Sequence, residues 1–385
     1  MEDFSGYPFK NHLPCLLQAL HSLSTHKIDE LATFSDTPAP SVIRALYTEN
    51  DVLARRYIKN WMELAGLSVR EDVVGNMFGR WDGSEPDLGA VATGSHIDAI
   101  PYGGKYDGVV GVLGAIEAMN ALKRFILYHL KLFLFTSEEP TRFGISCLGS
   151  RLLAGYEELA EALKTTVDAQ NISFFDAAKS AGYAKGHDDL STFIELHIEQ
   201  GPILEAEVDY EGNGGHAGAV LMPERNDAGL AAAELALAVL PGAINSIPSK
   251  SDVEIDTRDI DEKRRNDVVE KIFHSTLEIA INRGVQISDF KIISQDPPAP
   301  CYKLVTEAMQ SVAEDLNLKR KLMISRAYHD FLFMAVVSPM GMLFIPCQKS
   351  HKPEEYASIE DIANGVKVLA LTLAKLSSFG YISLA

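Results

Sequence analysis

The hydrophobic and polar positions first predict an amphipathic helix in the early part of the chain. Apolar residues recur at helical spacing over Glu49–Leu64, Asn50 can cap the start of the helix, and Gly66 can close its end. The apolar positions are Val52, Tyr57, Trp61 and Leu64. We expect this helix to lie on the surface and to pack on a core through those four side chains.

Short apolar runs rich in β-favouring residues follow, and they alternate with longer helical patterns. The predicted strands are Leu67–Arg70, Asn76–Trp81, Ala90–Thr93, Lys131–Phe135, Thr192–Leu196 and Met342–Ile345. The predicted helices are Val109–Lys123, Asp227–Val239, Asp261–Arg283 and a last helix that ends at Leu376. Ser358 can cap that last helix, with Asp361 at its capping-box position. This alternation is typical of an α/β domain.

The middle of the chain differs in texture and predicts a second domain. A glycine-rich turn, Gly212–Gly218, precedes the two middle helices. Pro202 on entry and the proline-rich stretch 297–300 suit hinges and surface loops. We therefore predict a discontinuous larger domain, residues 1–206 and 325–385, with a smaller domain of residues 207–324 inserted in it.

Composition narrows the classes of function. The 385 residues include 35 Lys and Arg against 53 Asp and Glu, for a net charge of −18, which disfavours nucleic acid and anionic membranes as partners. Hydrophobic residues make up 46% of the chain, enough for buried cores. The four cysteines are too scattered for a disulfide framework, and no apolar run reaches the roughly 20 residues that a membrane helix needs.

Side chains of the kinds that bind metal ions follow four of the predicted strands. These residues are His96, Asp98, Glu138, Glu139, His197 and His351. Asp107, in the glycine-rich loop Gly103–Gly108, is a further candidate. Because ligands of an open α/β sheet bind in the crevice at the carboxyl ends of its strands, we expect these groups to converge on one site.

Three histidines and two carboxylates could hold two divalent ions if one carboxylate bridged them, as in two-metal hydrolases. Such a pair activates water and polarises a carbonyl group. Of the adjacent Glu138 and Glu139, one then serves as a ligand and the other as the general base that passes a proton to the leaving nitrogen. Asp98, two residues after His96, is placed to orient that imidazole.

Each signal taken singly also has a simpler interpretation. A histidine at a strand end can be an ordinary hydrogen-bonded polar residue, and Glu138 with Glu139 could be a charge pair at a helix N-terminus. The G-x-x-G-x-x-G run that begins at Gly108 is not a dinucleotide fingerprint and indicates close helix packing. Ser146 and Ser150 offer a serine nucleophile but have no evident histidine base. Together, five ligand-type residues after four strands favour a metal site.

The motifs resemble those of the M20 metallopeptidase-like amidohydrolases, and within them the branch that acts on ureides and carbamoyl amino acids. The segments concerned are GSHID at 94–98, GGKYDG at 103–108, TSEE at 136–139, ELHIEQGP at 195–202 and Ser350-His351. The stretches SRAYHD at 325–330 and HKPEEY at 351–356 are most similar to plant members. The resemblance implies an α/β, zinc-peptidase-like catalytic domain with an inserted, shortened ferredoxin-like α+β domain that acts as a lid and in dimerisation.

The resemblance also implies roles for individual residues. One metal ion would be held by His96, Asp107 and His197, and the other by Asp107, Glu139 and His351, with Glu138 as the base. The implied substrate-binding residues are Glu199, Gln200, His216, Asn245, Arg258 and His329, with His216 reaching across a homodimer. The guanidinium fork of Arg258 suits a small substrate carboxylate. The implied cofactor is two Mn²⁺ per subunit, although these ligands would also accept Zn²⁺.

The reaction implied is hydrolysis of the carbamoyl C–N bond of ureidoglycolate to glyoxylate, ammonia and carbon dioxide. Allantoate or an N-carbamoyl-L-amino acid is an alternative substrate, and Tyr328 favours ureidoglycolate over allantoate. An inactive homologue with a defective lid is a further alternative, whereas Arg258 and His329 disfavour a peptide substrate. Plant enzymes of this kind are expected in the endoplasmic reticulum, but no secretory signal is visible here, which indicates the cytoplasm for the sequence as written.

Overall fold

The computed structural model describes residues 25–85, 89–123, 129–183, 192–198, 253, 255–292, 294–325 and 327–377. The strands are β1 Val42–Arg44, β2 Ser68–Glu71, β3 Met77–Trp81, β4 Ala90–Ser95, β5 Ala99–Gly103, β6 His129–Leu134, β7 Thr192–Ile198 and β8 Met340–Ile345. The helices are α1 Thr25–Ala32, α2 Glu49–Leu64, α3 Val109–Leu122, α4 Leu148–Leu153, α5 Glu157–Ala162, α6 Phe174–Ala181, α7 Glu262–Arg283, α8 Lys303–Asp315, α9 Asp330–Met334 and α10 Ile359–Leu376.

Six strands form one sheet in the order β2–β3–β6–β4–β7–β8, and β1 pairs with β5 in a separate antiparallel ribbon. β6, β4, β7 and β8 are parallel neighbours, whereas β2 and β3 extend the sheet in antiparallel fashion at one side. The four parallel strands therefore end at the same edge. All six predicted strands are present, with ends that differ by one to two residues from those expected.

The main core lies between the sheet and the helices α3 and α10. α3 is apolar apart from Glu117 and Asn120, and it buries 11 of its 14 residues, which requires other elements on most of its sides. α10 packs against it and buries Val366, Leu369 and Leu373 completely. The predicted cap of α10 is confirmed, because the hydroxyl of Ser358 accepts the N–H of Asp361 at 3.0 Å.

The bounds predicted for α2 agree with the structure, but its predicted N-cap is wrong and its predicted buried face is only partly right, because Tyr57 and Trp61 pack half-buried against the core whereas Leu64 does not. Thr48, not Asn50, caps the helix by accepting the N–H of Asp51. The buried side chains are Asp51, Ala54, Arg55, Ile58 and Met62. Leu64, expected in the core, is 65% exposed. The spacing of apolar residues does not reveal the whole buried face, because the charged residues Asp51 and Arg55 are part of it.

Those two charged residues form a buried ion pair. Nε of Arg55 lies 2.9 Å from Oδ1 of Asp51, and both side chains are almost inaccessible. Asp51 also accepts the N–H of Tyr47 at 2.9 Å, and Arg55 donates to the carbonyl of Gly75 at 2.8 Å. Because each charge has a partner and further hydrogen bonds, the cost of removing both from water is offset.

The chain divides into two compact units. The first comprises residues 1–205, 301–323 and 328–385, and the second comprises 206–300 and 324–327. In the described part of the second unit α7 is the only helix or strand, and it begins and ends as predicted, with Asp261 as its cap. The predicted turn 212–218 and helix 227–239 lie outside the described residues. The division at 206/207 and 324/325 therefore stays a prediction, and residues 301–323 group with the first unit.

No helix among the described residues combines the length and the apolar character needed to cross a membrane.

Candidate metal centre

The ends of the four parallel strands bring the predicted ligand residues together. β4 leads directly into His96, β6 leads to Glu138 and Glu139, and His197 is the last residue but one of β7. His351 follows β8 after a short loop. The common direction of these strands places all five side chains at one edge of the sheet, as the sequence predicts.

Asp107 lies between two groups of side chains. Its Oδ1 is 3.1 Å from Nε2 of His197 and 3.9 Å from Nε2 of His96, and its Oδ2 is 3.0 Å from Nε2 of His351. Oε1 of Glu139 lies 3.9 Å from the same nitrogen of His351. The ligand atoms of His96, Asp107 and His197, and those of Asp107, Glu139 and His351, each lie within 4.8 Å of one another. Asp107 therefore belongs to both groups.

The donor set of this centre fits divalent metal ions. Nε2 of His96 is buried and has no hydrogen-bond partner among the described residues, an arrangement that normally costs free energy. The imidazoles of His96 and His197 stack with 5.8 Å between their centroids, and one nitrogen of each ring lies within 4.8 Å of the other. Imidazole and carboxylate ligands are accepted by both zinc and manganese.

Asp98 contacts both the histidine that follows β4 and the two glutamates that follow β6. Its Oδ1 accepts the N–H of Glu138 at 3.2 Å, and its Oδ2 accepts the N–H of Glu139 at 2.9 Å. Oδ1 also lies 3.5 Å from Nδ1 of His96. The carboxylate is therefore placed to orient the imidazole, as predicted, and it holds the backbone of the two glutamates as well.

Glu138 stands beside the two groups without belonging to either. Its Oε2 is 3.9 Å from Nε2 of His96, and Sγ of Cys147 lies 3.8 Å from its Oε1. Burial raises the pKa of Glu138 well above the usual range of a carboxyl group, and although His96 opposes this, the negative charges of Glu139 and Asp330 act in the same direction. Its surroundings therefore favour the protonated form of Glu138, as expected of a group that accepts a proton.

The other carboxylates respond differently to the same surroundings. Burial raises the pKa of Glu139 to about 7, with Asp107 adding to the shift. Asp107 is also buried, but its hydrogen bonds to His197 and His351 outweigh burial and hold its pKa well below the usual range. For His351, the interaction with Asp107 overcomes burial and raises the pKa to about 9. Asp107 is thus the carboxylate of the centre that stays ionised most readily.

Backbone conformation at the centre is unusual and specific. Ser137 and His351 adopt positive φ values of 55° and 61°, which side chains with a Cβ rarely do. Gly108 has φ of 63°, and a Cβ at this position would lie 2.6 Å from the ring of His96. Positive φ values at non-glycine residues persist where surrounding contacts hold them, often at functional sites.

The predicted substrate-binding residues fall into three cases. His329 lies in the centre, where its ring packs edge-on against His197 with 4.6 Å between centroids. Arg258 belongs to the second unit, in which its guanidinium pairs with Asp256 at 2.6 Å. The remaining predicted residues lie outside the described residues, and they are Glu199, Gln200, His216 and Asn245.

The serine alternative finds no histidine partner in the described part of the centre. The hydroxyl of Ser150 lies 2.6 Å from Oδ1 of Asp330, where it can donate to the carboxylate, and 3.1 Å from the carbonyl of Cys147. Asp330 and Glu355 are two buried acidic residues that the strand-end pattern does not predict. The signal available for Glu355 was its position four residues after His351.

Comparison with known proteins places this centre among metal-dependent hydrolases. Residues 92–375 match the model of peptidase family M20/M25/M40. A ureidoglycolate hydrolase of Arabidopsis thaliana is 62% identical, with 98% of this chain and 92% of that protein covered. A ureidoglycolate hydrolase of Oryza sativa subsp. japonica is 64% identical, with 91% and 84% covered. The Arabidopsis alignment spans 441 positions, more than the 385 residues here, so that relative contains internal segments without a counterpart.

Solved structures share the fold. The crystal structure of AtUAH in complex with (S)-hydroxyglycine superposes with a TM-score of 0.78 at 61% identity, and 95% of this chain and 97% of that chain are covered. The same protein has been solved in complex with glyoxylate, with the same TM-score at 62% identity and the same coverage of both chains. The mixed arrangement of sheet and helices described above is therefore the M20 fold.

Proposed function

The chain belongs to peptidase family M20/M25/M40, and from that membership we propose that it is a metal-dependent ureidoglycolate amidohydrolase. The observation that carries the metal-dependent chemistry is the position of Asp107, whose two oxygens face His197 and His351 at 3.1 and 3.0 Å. The choice of substrate is supported by the two plant relatives, both of which are named ureidoglycolate hydrolases.

His96, Asp107 and His197 would hold one divalent ion and Asp107, Glu139 and His351 the other, with Asp107 as the bridging ligand. We propose Mn²⁺ as the ion, and the same ligands would accept Zn²⁺. When bound, the ions would supply Lewis acidity that polarises a carbonyl group. They would also lower the pKa of water, so that water loses a proton more easily as it attacks the carbonyl carbon.

Glu138 is the residue that moves the proton. Its carboxylate takes a proton from the attacking water and returns it to the departing nitrogen, which leaves as ammonia. The position of Glu138 supports this assignment, because its Oε2 lies 3.9 Å from Nε2 of His96 while the residue stays outside both groups of candidate ligands. Asp98 holds the backbone of Glu138 in place and acts as a positioning residue.

The products account for all atoms of ureidoglycolate and one water molecule. Cleavage of the carbamoyl C–N bond releases ammonia and leaves a carbamate, which loses carbon dioxide to give hydroxyglycine. Hydroxyglycine then loses its amino group as a second ammonia and becomes glyoxylate. The two molecules bound in the AtUAH structures, (S)-hydroxyglycine and glyoxylate, are the successive products of this sequence.

The residues proposed to hold the substrate are those that the resemblance implies. His329 lies against His197 and is placed to contact a group bound at the centre. Arg258 is proposed to bind the substrate carboxylate, together with Glu199, Gln200 and Asn245, while His216 would come from the partner subunit of a homodimer. A solution mass twice that of one chain would support the dimer. Placement in the endoplasmic reticulum likewise stays a prediction.

The first test is ammonia release by metal-stripped protein reconstituted with Mn²⁺. Ureidoglycolate, allantoate and an N-carbamoyl amino acid are offered separately. Release from ureidoglycolate alone supports the proposal, and release from allantoate or the carbamoyl amino acid would move the chain to that activity. Two bound ions with no release from any substrate would favour the inactive homologue whose shortened lid cannot close.

A further inference from the structure

Glu355 occupies an unusual position for a carboxylate. It is 5% exposed, and its Oε2 accepts the N–H of Tyr106 at 2.9 Å and the N–H of Asp107 at 3.1 Å. Its Oε1 is buried and has no hydrogen-bond partner among the described residues. Burying a charged group that is only partly hydrogen-bonded costs free energy, so the position calls for a reason other than stability.

The loop that carries Glu355 also carries His351. Gln348 and Tyr356 close this loop with two backbone hydrogen bonds of 2.8 and 3.0 Å, and the N–H of Glu355 donates to the carbonyl of Lys352 at 3.0 Å. His351 therefore cannot move far without moving Glu355. This closed loop therefore carries one candidate metal ligand, His351, and one buried carboxylate, Glu355.

The partner of Glu355 is the backbone of the loop that supplies Asp107. A Cβ on Gly104 would overlap the Cβ and the carboxylate of Glu355, so glycine is needed there for the two loops to approach. The two loops are separated by 248 residues in the sequence. Glu355 thus ties the backbone of Asp107 to the loop of His351, whose Nε2 lies 3.0 Å from Oδ2 of Asp107.

We infer that Glu355 is a positioning residue that sets the bridging carboxylate of Asp107 against His351 by accepting the two backbone N–H groups of residues 106 and 107. Asp98 performs the corresponding task for Glu138 and Glu139. This inference rests on the proposed function only in that the centre binds divalent ions. It concerns how tightly the ions are held and is independent of the substrate.

The test is Mn²⁺ binding to the metal-stripped protein, followed by calorimetry and by the electron paramagnetic resonance of the bound ions. Glu355→Ala removes the acceptor, and we expect a loss of affinity of about 10- to 100-fold at one or both sites, with a changed signal from the ion pair. Glu355→Gln keeps an acceptor oxygen of the same reach and should stay within about threefold of the unaltered protein. Glu354→Ala, at the exposed neighbouring glutamate, is the matched control and should bind as before.

Two results would overturn the inference. One is unchanged affinity and an unchanged signal in Glu355→Ala. The other is a loss in Glu355→Gln as large as in Glu355→Ala, since that would assign the effect to the charge and not to the accepted N–H groups. If the alanine variant does not fold, Glu355→Asp decides the matter, because its shorter side chain cannot reach both N–H groups and should weaken Mn²⁺ binding.

Failure of the proposed function gives a different pattern. In that case the unaltered protein binds two ions but releases no ammonia from ureidoglycolate, and the ranking of the Glu355 variants in Mn²⁺ affinity is still obtained. Melting of the metal-free variants provides a second readout. A role confined to the stability of the loop would lower the melting temperature of the metal-free alanine variant and leave the affinity per folded molecule unchanged.

Discussion

Individual carboxylates at the candidate centre serve two different purposes. Asp107 and Glu139 present oxygens to the shared space between the histidines, whereas Asp98 and Glu355 turn theirs to backbone N–H groups. We expect the second kind to strengthen metal binding by the first kind, because a loosely held loop must give up conformational entropy each time its carboxylate binds an ion. The sequence identifies the first kind by residue type and suggests Asp98 by its spacing from His96, whereas Glu355 is recognised only from its contacts.

Removal of the proton acceptor should separate metal binding from turnover. We expect Glu138→Gln to bind Mn²⁺ as the unaltered protein does and to lose about 10²- to 10⁴-fold in kcat, because the amide has the size of the carboxylate but cannot take a proton. Ammonia release and metal content measured on the same sample check this. Comparable turnover in the variant would remove Glu138 from the role of base.

Asp98→Asn should weaken the centre without removing a ligand. The amide can accept one of the N–H groups of Glu138 and Glu139 but presents its own N–H₂ to the other, so we expect about a 10- to 100-fold loss in metal affinity. Calorimetric titration with Mn²⁺ measures it. Asp267→Asn, at an exposed helical position, is the control, and equal affinity in the two variants would contradict the role given to Asp98.

At the scale of elements, the loop between β5 and α3 links the backbone geometry to the candidate metal centre. The loop after β5 ends at Gly108, whose positive φ turns the backbone into α3 directly against the ring of His96. α3 then runs through the core, so the loop is anchored at its far end by buried apolar contacts. Small changes in this turn should therefore be transmitted to the imidazole.

Gly108→Ala tests that connection. The added Cβ faces backbone strain at φ of 63° and a contact of 2.6 Å with the His96 ring, so we expect weaker Mn²⁺ binding and a loss of stability of about 1–3 kcal/mol. Gly284→Ala is a matched control, because Gly284 has φ of 67° and no atom within 4 Å of an added Cβ. Its ψ of 29° lies in the left-handed helical region, whereas ψ of Gly108 is −40°, so Gly284→Ala should cost less stability and leave metal affinity unchanged. A similar loss of affinity in both variants would contradict the interpretation.

The buried face of α2 offers a second test at this scale. We expect Arg55→Met to lower the free energy of unfolding by about 3–5 kcal/mol, because it leaves the buried carboxylate of Asp51 without its charged partner. Urea denaturation followed by circular dichroism measures the loss. Arg56→Met changes an exposed neighbour on the same helix and should cost less than about 0.5 kcal/mol. Similar midpoints for the two variants would show that the ion pair contributes little.

For the molecule as a whole, ions bound at the centre would join parts of the chain that are far apart in sequence. The proposed ligands come from positions 96, 107, 139, 197 and 351, and a ligand that binds only the folded state stabilises it. At a free concentration 100 times Kd, one site adds roughly 2.7 kcal/mol. The stability of the first unit should therefore depend on metal.

Chelation is the corresponding experiment. We expect EDTA to lower the melting temperature of the metal-loaded protein by several degrees and added Mn²⁺ to restore it. Glu138→Gln should keep this response, because Glu138 is not among the proposed ligands, whereas His351→Ala should lose a large part of it. A melting temperature that ignores both EDTA and Mn²⁺ would contradict a resident metal centre.

Much of this protein could be predicted from local sequence, because strands, helices and caps depend on neighbours a few positions apart. The six strands, the bounds of α2, the cap at Ser358 and the residue types after the strands belong to this class. The resemblance to a known family added the proposed bridging role of Asp107, a residue that belongs to both groups of candidate ligands. The buried face of α2 was predicted only in part, since Tyr57 and Trp61 pack on the core as expected but the apolar spacing gives no sign of the buried ion pair of Asp51 and Arg55.

What only the tertiary structure decided are the contacts between distant segments. The strand order places β6 between β3 and β4 and puts β4 beside β7, although the chain runs from β3 to β4 and from β6 to β7. The same packing brings Glu355 into contact with the backbone of Asp107. The residue pattern of neither loop predicts this contact with the other. Local propensity depends on nearby side chains, whereas these contacts exist only when the whole sheet has closed on its core.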